Sequence, residues 1–328
     1  MCHNNSINLD EKSSVLVDKT KSGKVRPWRE KKIANVDYFE LLHILEFKKS
    51  ERVKACAEIL EYKANRETGE VNLFKVWFCK SRLCPMCNWR RAMKHGIQSQ
   101  KVVAEVIRQK PTVRWLFLTL TVKNVFDGEE LNESLSAMAK GFNRMMKYKK
   151  INKNLVGFMR ATEVTVNKVD NFYNQHMHVL ICVESTYFKN TENYIDQKQW
   201  TSFWKKAMKL DYDPVVDVRA IKPKNKQKTD IQSAIDETAK YPVKDTDFMT
   251  DDEEKNLQRL ADLEEGLHRK RLISYGGLLK EIHKELNLDD SEDGDLIHTD
   301  DEQEKADEDG YSIVAMWNWE RKNYFLKG

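Results

Sequence analysis

Apolar and polar positions alternate most clearly in the middle of the chain, where strand-like and helix-like stretches follow one another. Three stretches have the composition of central β-strands: Trp115–Val122, Val156–Val166 and His176–Val183. Between the first two, apolar residues keep helical spacing at Leu131, Leu135, Met138, Phe142 and Met145. Asp127 and Glu130 precede that stretch with the spacing of a capping box. The order strand, helix, strand, strand predicts an α+β fold in which a central antiparallel sheet carries helices on one face.

Changes in composition divide the chain into five segments. Residues 1–50 form a basic arm, residues 51–100 a cysteine-bearing segment, and residues 111–248 the predicted sheet domain. Residues 249–310 combine a polar helix with an acidic stretch, and residues 311–328 form an aromatic C-terminal strand. No apolar run approaches the roughly 20 residues that span a bilayer, and the N-terminus lacks the apolar stretch of a signal peptide. We therefore expect a cytoplasmic protein with no membrane partner.

The charge of the chain is unevenly distributed. The formal net charge is +4. Between Asp289 and Asp309 there are twelve carboxylates and a single base, Lys305, which gives this stretch −11 and leaves +15 for the remainder. A strongly basic body suits a nucleic acid, because each Lys or Arg placed against a phosphate releases condensed counterions. Charge alone is equally compatible with a merely solvated surface.

Four cysteines predict a structural zinc site. Cys79, Cys84 and Cys87 lie close together, and the last two form a Cys-x-x-Cys turn that presents two thiolates to one tetrahedral ion. Cys56 or His95 could supply the fourth ligand, and we expect Cys56. In a cytosolic chain zinc is favoured over a disulfide. The surrounding basic residues predict a small DNA-contacting surface: Arg82, Arg90, Arg91 and Lys94.

A histidine pair predicts a second metal site. His176 and His178 stand two apart on a predicted strand, so both imidazoles project from one face and can ligate one divalent ion. Glu163, on the polar face of the preceding strand, could supply a carboxylate. Two imidazoles and one carboxylate leave coordination positions open for a phosphate oxygen, which favours catalysis over a purely structural role.

Glu237 and Tyr241 lie four residues apart in a predicted helix, where such a pair is usually an ordinary surface contact. A tyrosine with the usual pKa near 10 is about 0.1% phenolate at neutral pH. To act as a nucleophile it needs a metal-polarised electrophile and cationic neighbours, a role that Lys240 and Lys244 could fill.

Three short motifs in a fixed order carry a resemblance to a known family. They are Phe-Leu-Thr-Leu-Thr at residues 117–121, His-Met-His at residues 176–178 and Lys-Tyr-Pro-Val-Lys at residues 240–244. The chain thereby resembles the rolling-circle plasmid replication initiators of Gram-positive bacteria, which belong to the HUH endonuclease superfamily, and its cysteine segment resembles theirs. Family members often carry an additional histidine two residues before the pair, where this chain has Asn174, so Glu163 gains importance as a ligand.

The resemblance implies an HUH-type, ferredoxin/RRM-like nuclease fold and a defined reaction. Tyr241 would cut one strand at a plasmid double-strand origin, where a hairpin presents the site as single strand, and would form a 5′-phosphotyrosine that permits rejoining without ATP. The ion at the histidine pair and Glu163 would be Mn²⁺ or Mg²⁺, and Glu237 would act at termination. The implied DNA-binding residues are Arg219, Lys222, Lys224, Lys240 and Lys244. The implied partners are the origin DNA, a host helicase and the replication machinery, with a second copy of the chain as a further candidate.

Two alternatives remain open at the level of sequence. A zinc-stabilised DNA-binding regulator would use the histidine pair structurally and would bind an origin without cutting it. A transposase of the same superfamily would nick the ends of its own element rather than a plasmid origin.

Overall fold

The computed structural model describes residues 15–20, 23–167, 169–221, 230–239, 249–290, 292–299 and 310–327. The helices are α1 Trp28–Ile44, α2 Ser50–Lys54, α3 Pro85–Gln109, α4 Gly128–Met146, α5 Lys149–Asn152, α6 Gln197–Met208, α7 Asp230–Ala239, α8 Glu253–Gly266 and α9 Leu278–Glu285. None of these described helices is long and apolar enough to cross a membrane. The strands are β1 Ile59–Ala64, β2 Val71–Val76, β3 Arg114–Thr121, β4 Leu155–Val166, β5 Tyr173–Val183, β6 Val216–Ala220, β7 Ile273–Gly277, β8 Tyr311–Asn318 and β9 Asn323–Lys327.

The chain folds into two compact units. The first comprises the residues up to Ile97 and those from Asp293 onward, and the second comprises Gln98–Glu292. The first unit is built on an antiparallel four-stranded sheet with the order β2-β1-β8-β9. The aromatic C-terminal segment forms the β8–β9 hairpin of this sheet, and β8 pairs with β1. Helix α1, which comes from the basic N-terminal segment, belongs to the same unit and buries Trp28 and Tyr38.

The second unit contains a five-stranded antiparallel sheet with the order β6-β3-β5-β4-β7. Its three central strands are those that the hydrophobic pattern predicts. The edge strands β6 and β7 are not predicted, because β6 is short and β7 ends in Gly276 and Gly277. Gly277 has a φ of +57°, a conformation that favours glycine, and a Cβ there would collide with the carbonyl oxygen of Val156.

Helices cover both faces of the five-stranded sheet. On one face, α4 and α6 bury Phe142, Trp200 and Trp204 against β3 and β5. On the other face, α3, α7 and α9 pack over Phe117 and Leu180. The α+β class is confirmed, whereas the expectation of helices on one face is not. The central strands are apolar on both faces, and each apolar face has to be covered.

Helix α4 begins where its sequence predicts. The carboxylate of Asp127 accepts a hydrogen bond from the backbone N–H of Glu130 at 2.8 Å. The Glu130 carboxylate accepts one from the backbone N–H of Phe126 at 2.9 Å, one residue earlier than in an ideal capping box. These two bonds fix the start of α4 at Gly128.

Candidate functional site

Four cysteine side chains of the first unit converge on one point. The sulfurs of Cys56 and Cys87 are 3.6 Å apart, those of Cys79 and Cys87 3.7 Å, and those of Cys56 and Cys84 3.7 Å. Zinc–thiolate bonds of about 2.3 Å in a tetrahedron would place the sulfurs about 3.8 Å apart. The cluster therefore fits a tetrahedral ion, and none of the four forms a disulfide. Cys56 rather than His95 joins the other three.

The groups around this cluster are arranged to stabilise thiolates. The backbone N–H groups of Cys79 and Ser81 point at the sulfurs of Cys56 and Cys79, both at 3.4 Å. Asn35 of α1 donates through Nδ2 to the Cys84 sulfur at 3.4 Å. Burial and hydrogen bonds to the neighbouring thiols raise the pKa of Cys56. A divalent cation would instead lower the pKa of the cysteine thiols, because it binds the deprotonated sulfur.

Arg90 is fully buried rather than exposed to a partner. Its guanidinium donates to the carbonyl oxygens of Leu296 at 2.9 Å and Ile297 at 2.5 Å. It also lies 5.4 Å from the ring centroid of Trp28 and 5.2 Å from that of Trp89. These contacts give Arg90 a role inside the first unit.

Arg91 and Lys94 are also buried, each with 4% of its surface exposed. Arg91 donates to two backbone carbonyl oxygens, and Lys94 donates to the carbonyl oxygen of Asp295 at 2.6 Å. The expected arginine-rich DNA surface is therefore not formed by Arg90, Arg91 and Lys94, since their donors bind the protein's own backbone. Of the four basic residues predicted here, only Arg82 stays partly exposed.

The second metal group lies on one face of the five-stranded sheet. The β4–β5 register places Glu163 directly opposite His176, and His178 follows two residues along the same face. Glu163 Oε2 lies 3.3 Å from His176 Nε2 and 3.2 Å from His178 Nε2. The three side chains are between 11% and 15% exposed. The strands thus bring the three predicted ligands together at a nearly buried but accessible place.

Neighbouring side chains orient this group. His178 Nδ1 lies 3.3 Å from Thr119 Oγ1 on β3, and its Nε2 faces Glu163. The His178 ring stacks on Phe117 with a centroid distance of 5.5 Å. Burial raises the pKa of the Glu163 carboxyl, but hydrogen bonds from His176 and His178 outweigh it and hold that pKa well below its usual range. The carboxylate is therefore ionised and available as a ligand.

These three residues could together hold one divalent ion. One ligand atom from each lies within 4.8 Å of the other two. Imidazole nitrogens suit transition metals, and a carboxylate oxygen also suits Mg²⁺ and Mn²⁺. Three protein ligands leave coordination positions open for a substrate oxygen or water, which a closed tetrathiolate site does not.

Helix α7 places Glu237 beside the same face. Glu237 lines a cavity of about 340 Å³ together with Phe117 and Arg219. The Arg219 guanidinium lies 5.3 Å from the Phe117 ring centroid and forms an ion pair of 3.0 Å with Asp217. Because Phe117 stacks on His178, the cavity and the metal group share one aromatic wall.

Some predicted site residues lie outside the described residues: Lys222, Lys224, Lys240, Tyr241 and Lys244. The last described residue of α7, Ala239, precedes Tyr241 by two positions. Sequence reasoning did not single out Thr119 as the partner of His178. The available signal was its place inside the motif of residues 117–121.

Comparison with known proteins now identifies the family. A model of the family described as "Replication protein" matches residues 70–325. The chain belongs to this family. This replication protein is 86% identical over 235 residues to a "Replication protein" of Staphylococcus aureus, a match that covers 72% of this chain and 100% of the relative. The family-level resemblance predicted from the motifs is thereby confirmed.

Two further relatives match nearly the whole chain. The "Protein rep" of Lactiplantibacillus plantarum is 50% identical over 318 residues, which is 96% of this chain and 99% of the relative. The "Protein rep" of Streptococcus pneumoniae serotype 2 is 42% identical over 321 residues, 97% of each chain. No solved structure matches this replication protein.

Proposed function

We propose that this replication protein initiates plasmid replication by nicking one DNA strand at the origin, with Tyr241 as the nucleophile, as in HUH endonucleases. The observation that supports this most is the convergence of Glu163, His176 and His178 on one sheet face. A structural ion would have its coordination shell closed by protein. This group is partly exposed and offers three ligands, so a phosphate oxygen could complete the shell.

The residues around the site would prepare it for a divalent ion. Glu163 supplies the only negative charge among the three ligands, and Thr119 orients the His178 ring through Nδ1. Two imidazole donors favour Mn²⁺ over Mg²⁺. When bound, such an ion stabilises charge on the phosphoryl oxygens and orients the scissile group.

Tyr241 would attack the phosphorus atom through its phenolic oxygen. The new bond joins that oxygen to phosphorus, the bond from phosphorus to O3′ breaks, the phenolic proton leaves to water or a neighbouring base, and O3′ takes up a proton from water. The released 3′-hydroxyl can prime synthesis. The 5′-phosphotyrosine retains the ester, so rejoining needs no ATP. Lys240 and Lys244 flank Tyr241 in sequence and would stabilise the phenolate.

Glu237 would serve the terminating step. It stands four residues before Tyr241 in the sequence and lines the cavity together with Phe117 and Arg219. A carboxylate there could act as general base on a water molecule, a role worth typically about 10² to 10⁴ in rate. Arg219, Lys222 and Lys224 would contact the DNA strand that enters this cavity.

The cysteine cluster would hold a structural Zn²⁺, because its four sulfurs are buried and leave no coordination position open. The origin DNA is the proposed substrate, with the host helicase and replication machinery as partners in the cytoplasm. The names of the relatives, Replication protein and Protein rep, favour a replication initiator over a transposase.

A nicking assay tests this proposal against the regulator alternative. Supercoiled plasmid carrying a candidate origin is incubated with the zinc-loaded protein and Mn²⁺, without ATP. We expect a nicked product that EDTA abolishes, and that His178→Ala reduces by at least about 10²-fold. The matched control is His268→Ala, which changes an exposed histidine of the same unit. Origin binding by the wild type without any nicking would support the non-catalytic regulator instead.

A further inference from the structure

A second cavity in the unit Gln98–Glu292 lies on the sheet face opposite the metal group. Its volume is about 290 Å³. Strand alternation places Arg160 on this face, since Glu163 three residues later projects from the other. The basic residues that line the cavity come from β4, from α4 and from the turn between α8 and β7: Lys140, Arg160, Arg269, Lys270 and Arg271. No carboxylate lines it among the described residues.

Arg160 is a buried cation, and the described residues leave one of its donors unpaired. Only 5% of its surface is exposed, and its Nε has no hydrogen-bond partner among the described residues. Its guanidinium lies 5.4 Å from the ring centroid of Phe142. Burial lowers the pKa of Arg160 to about 10, which leaves it charged at neutral pH. Buried charges in proteins are normally paired and hydrogen-bonded, so the Nε of this guanidinium lacks, among the described residues, the acceptor that its burial requires.

The neighbouring cations reinforce the positive potential. Lys270 Nζ donates to Asn132 Oδ1 at 2.6 Å and to Ser136 Oγ at 2.5 Å, both neutral acceptors. Lys140 is exposed at the rim. Burial, and after it the neighbouring Lys140 ammonium, lower the pKa of Lys270.

Two carboxylates near the cavity offset part of this charge. Asp290 accepts a hydrogen bond from Arg271 at 2.6 Å. Glu292 attracts Arg160 electrostatically, while its Oε1 accepts a hydrogen bond from the backbone N–H of Leu272 at 2.9 Å. Five cations against two carboxylates leave an excess of three positive charges around one small cavity.

We propose that this cavity binds a phosphate group, with Arg160 at its base and Lys140, Arg269 and Lys270 around it. A phosphate offers several acceptor oxygens to cations that approach from different elements, and the planar fork of arginine matches its geometry. The group could be a backbone phosphate of DNA or free inorganic phosphate. Because the cavity and the Glu163 group occupy opposite sheet faces, this site is independent of the proposed nuclease chemistry.

The first experiment is a calorimetric titration of the full chain with inorganic phosphate at constant ionic strength, without added Mn²⁺ or Mg²⁺. We expect the wild type to bind phosphate and Arg160→Met to bind it about tenfold more weakly or worse, since a hydrogen-bonded charge is lost. Lys140→Ser should weaken binding several-fold. Lys198→Ser removes the same charge from an exposed position of α6 and should bind like the wild type.

The second experiment distinguishes the source of the phosphate. The affinity for a single-stranded thymidine oligonucleotide is measured as a function of salt concentration. If a DNA phosphate fills the cavity, inorganic phosphate competes with the oligonucleotide, and Arg160→Met lowers the slope of log K against log salt by about 0.7. If free phosphate fills it, oligonucleotide binding is the same in both proteins while the calorimetric difference remains.

Thermal unfolding shows whether a variant that does not bind phosphate is still folded. An unpaired buried charge destabilises a protein, so without phosphate Arg160→Met should unfold at the wild-type temperature or higher. Phosphate should raise the unfolding temperature of the wild type but not that of Arg160→Met. Should this variant fail to fold, the double variant Lys140→Ser, Arg269→Ser carries the same test on two exposed side chains. Phosphate and oligonucleotide binding equal to wild type in the folded variants would overturn the proposal, whether or not the protein nicks DNA.

Discussion

Replacing Thr119 by valine tests how the sheet prepares His178 for a metal ion. The substitution keeps the shape of the side chain and removes only the hydroxyl, which lies 3.3 Å from His178 Nδ1. Loss of a group that orients a metal-binding histidine typically costs about 10- to 100-fold in metal affinity. A contact of 3.3 Å is at the long end for a hydrogen bond, so we expect the lower end of that range. A tenfold loss corresponds to about 1.4 kcal/mol.

The assay is nicking of supercoiled plasmid as a function of Mn²⁺ concentration, together with calorimetric Mn²⁺ binding. Thr119→Val should need about tenfold more Mn²⁺ for half-maximal activity and should reach nearly the wild-type rate at saturation. Thr165→Val is the matched control, because its hydroxyl donates to the carbonyl oxygen of Asn174 at 3.4 Å rather than to a ligand. An unchanged Mn²⁺ dependence in Thr119→Val would refute the role assigned to this contact.

Three further substitutions separate structural from chemical roles. Cys84→Ser should release zinc and remove much of the roughly 10 kcal/mol of folding free energy that such an ion contributes, whereas Cys182→Ala should keep its zinc, as measured by metal analysis and thermal unfolding. Arg90→Met should lower the free energy of unfolding by about 3 kcal/mol, because two carbonyl oxygens lose a charged donor, while Arg82→Ser should leave stability nearly unchanged in denaturant titrations. Glu237→Ala should still nick and attach to origin DNA but accumulate concatemers in a replication assay. Normal termination by this variant would indicate that Glu237 has no role in the terminating step.

The metal group could be predicted from sequence because it depends on local periodicity. His176 and His178 share a face on any strand, and the alternation around Glu163 places its side chain on the polar face. The register that sets Glu163 opposite His176 is a contact between two strands, and sequence spacing does not specify it. The contact between Thr119 and His178 depends on a second register, between β3 and β5.

The features that sequence reasoning missed depend on distant parts of the chain. The sequence predicts a surface arginine at Arg90, but its acceptors are carbonyl oxygens about 200 residues away, within the acidic stretch. Strand β7 contains two glycines, so its composition does not indicate a strand, and its place in the sheet depends on pairing with β4. Helices on the second sheet face follow from central strands that are apolar on both sides, because each apolar face has to be covered.

The central claim is that Tyr241 forms the covalent link to DNA, and mass spectrometry of the linked peptide tests it most directly. The protein is incubated with Mn²⁺ and an oligonucleotide carrying the origin nick site, the adduct is digested with protease and nuclease, and the modified residue is located. We predict a 5′-phosphoryl adduct on Tyr241 that is absent from Tyr241→Phe, although this variant still binds the oligonucleotide. An adduct on another tyrosine, such as the half-buried Tyr275 that contacts Ser99 at 3.1 Å, or strand cleavage without any adduct, would contradict the account.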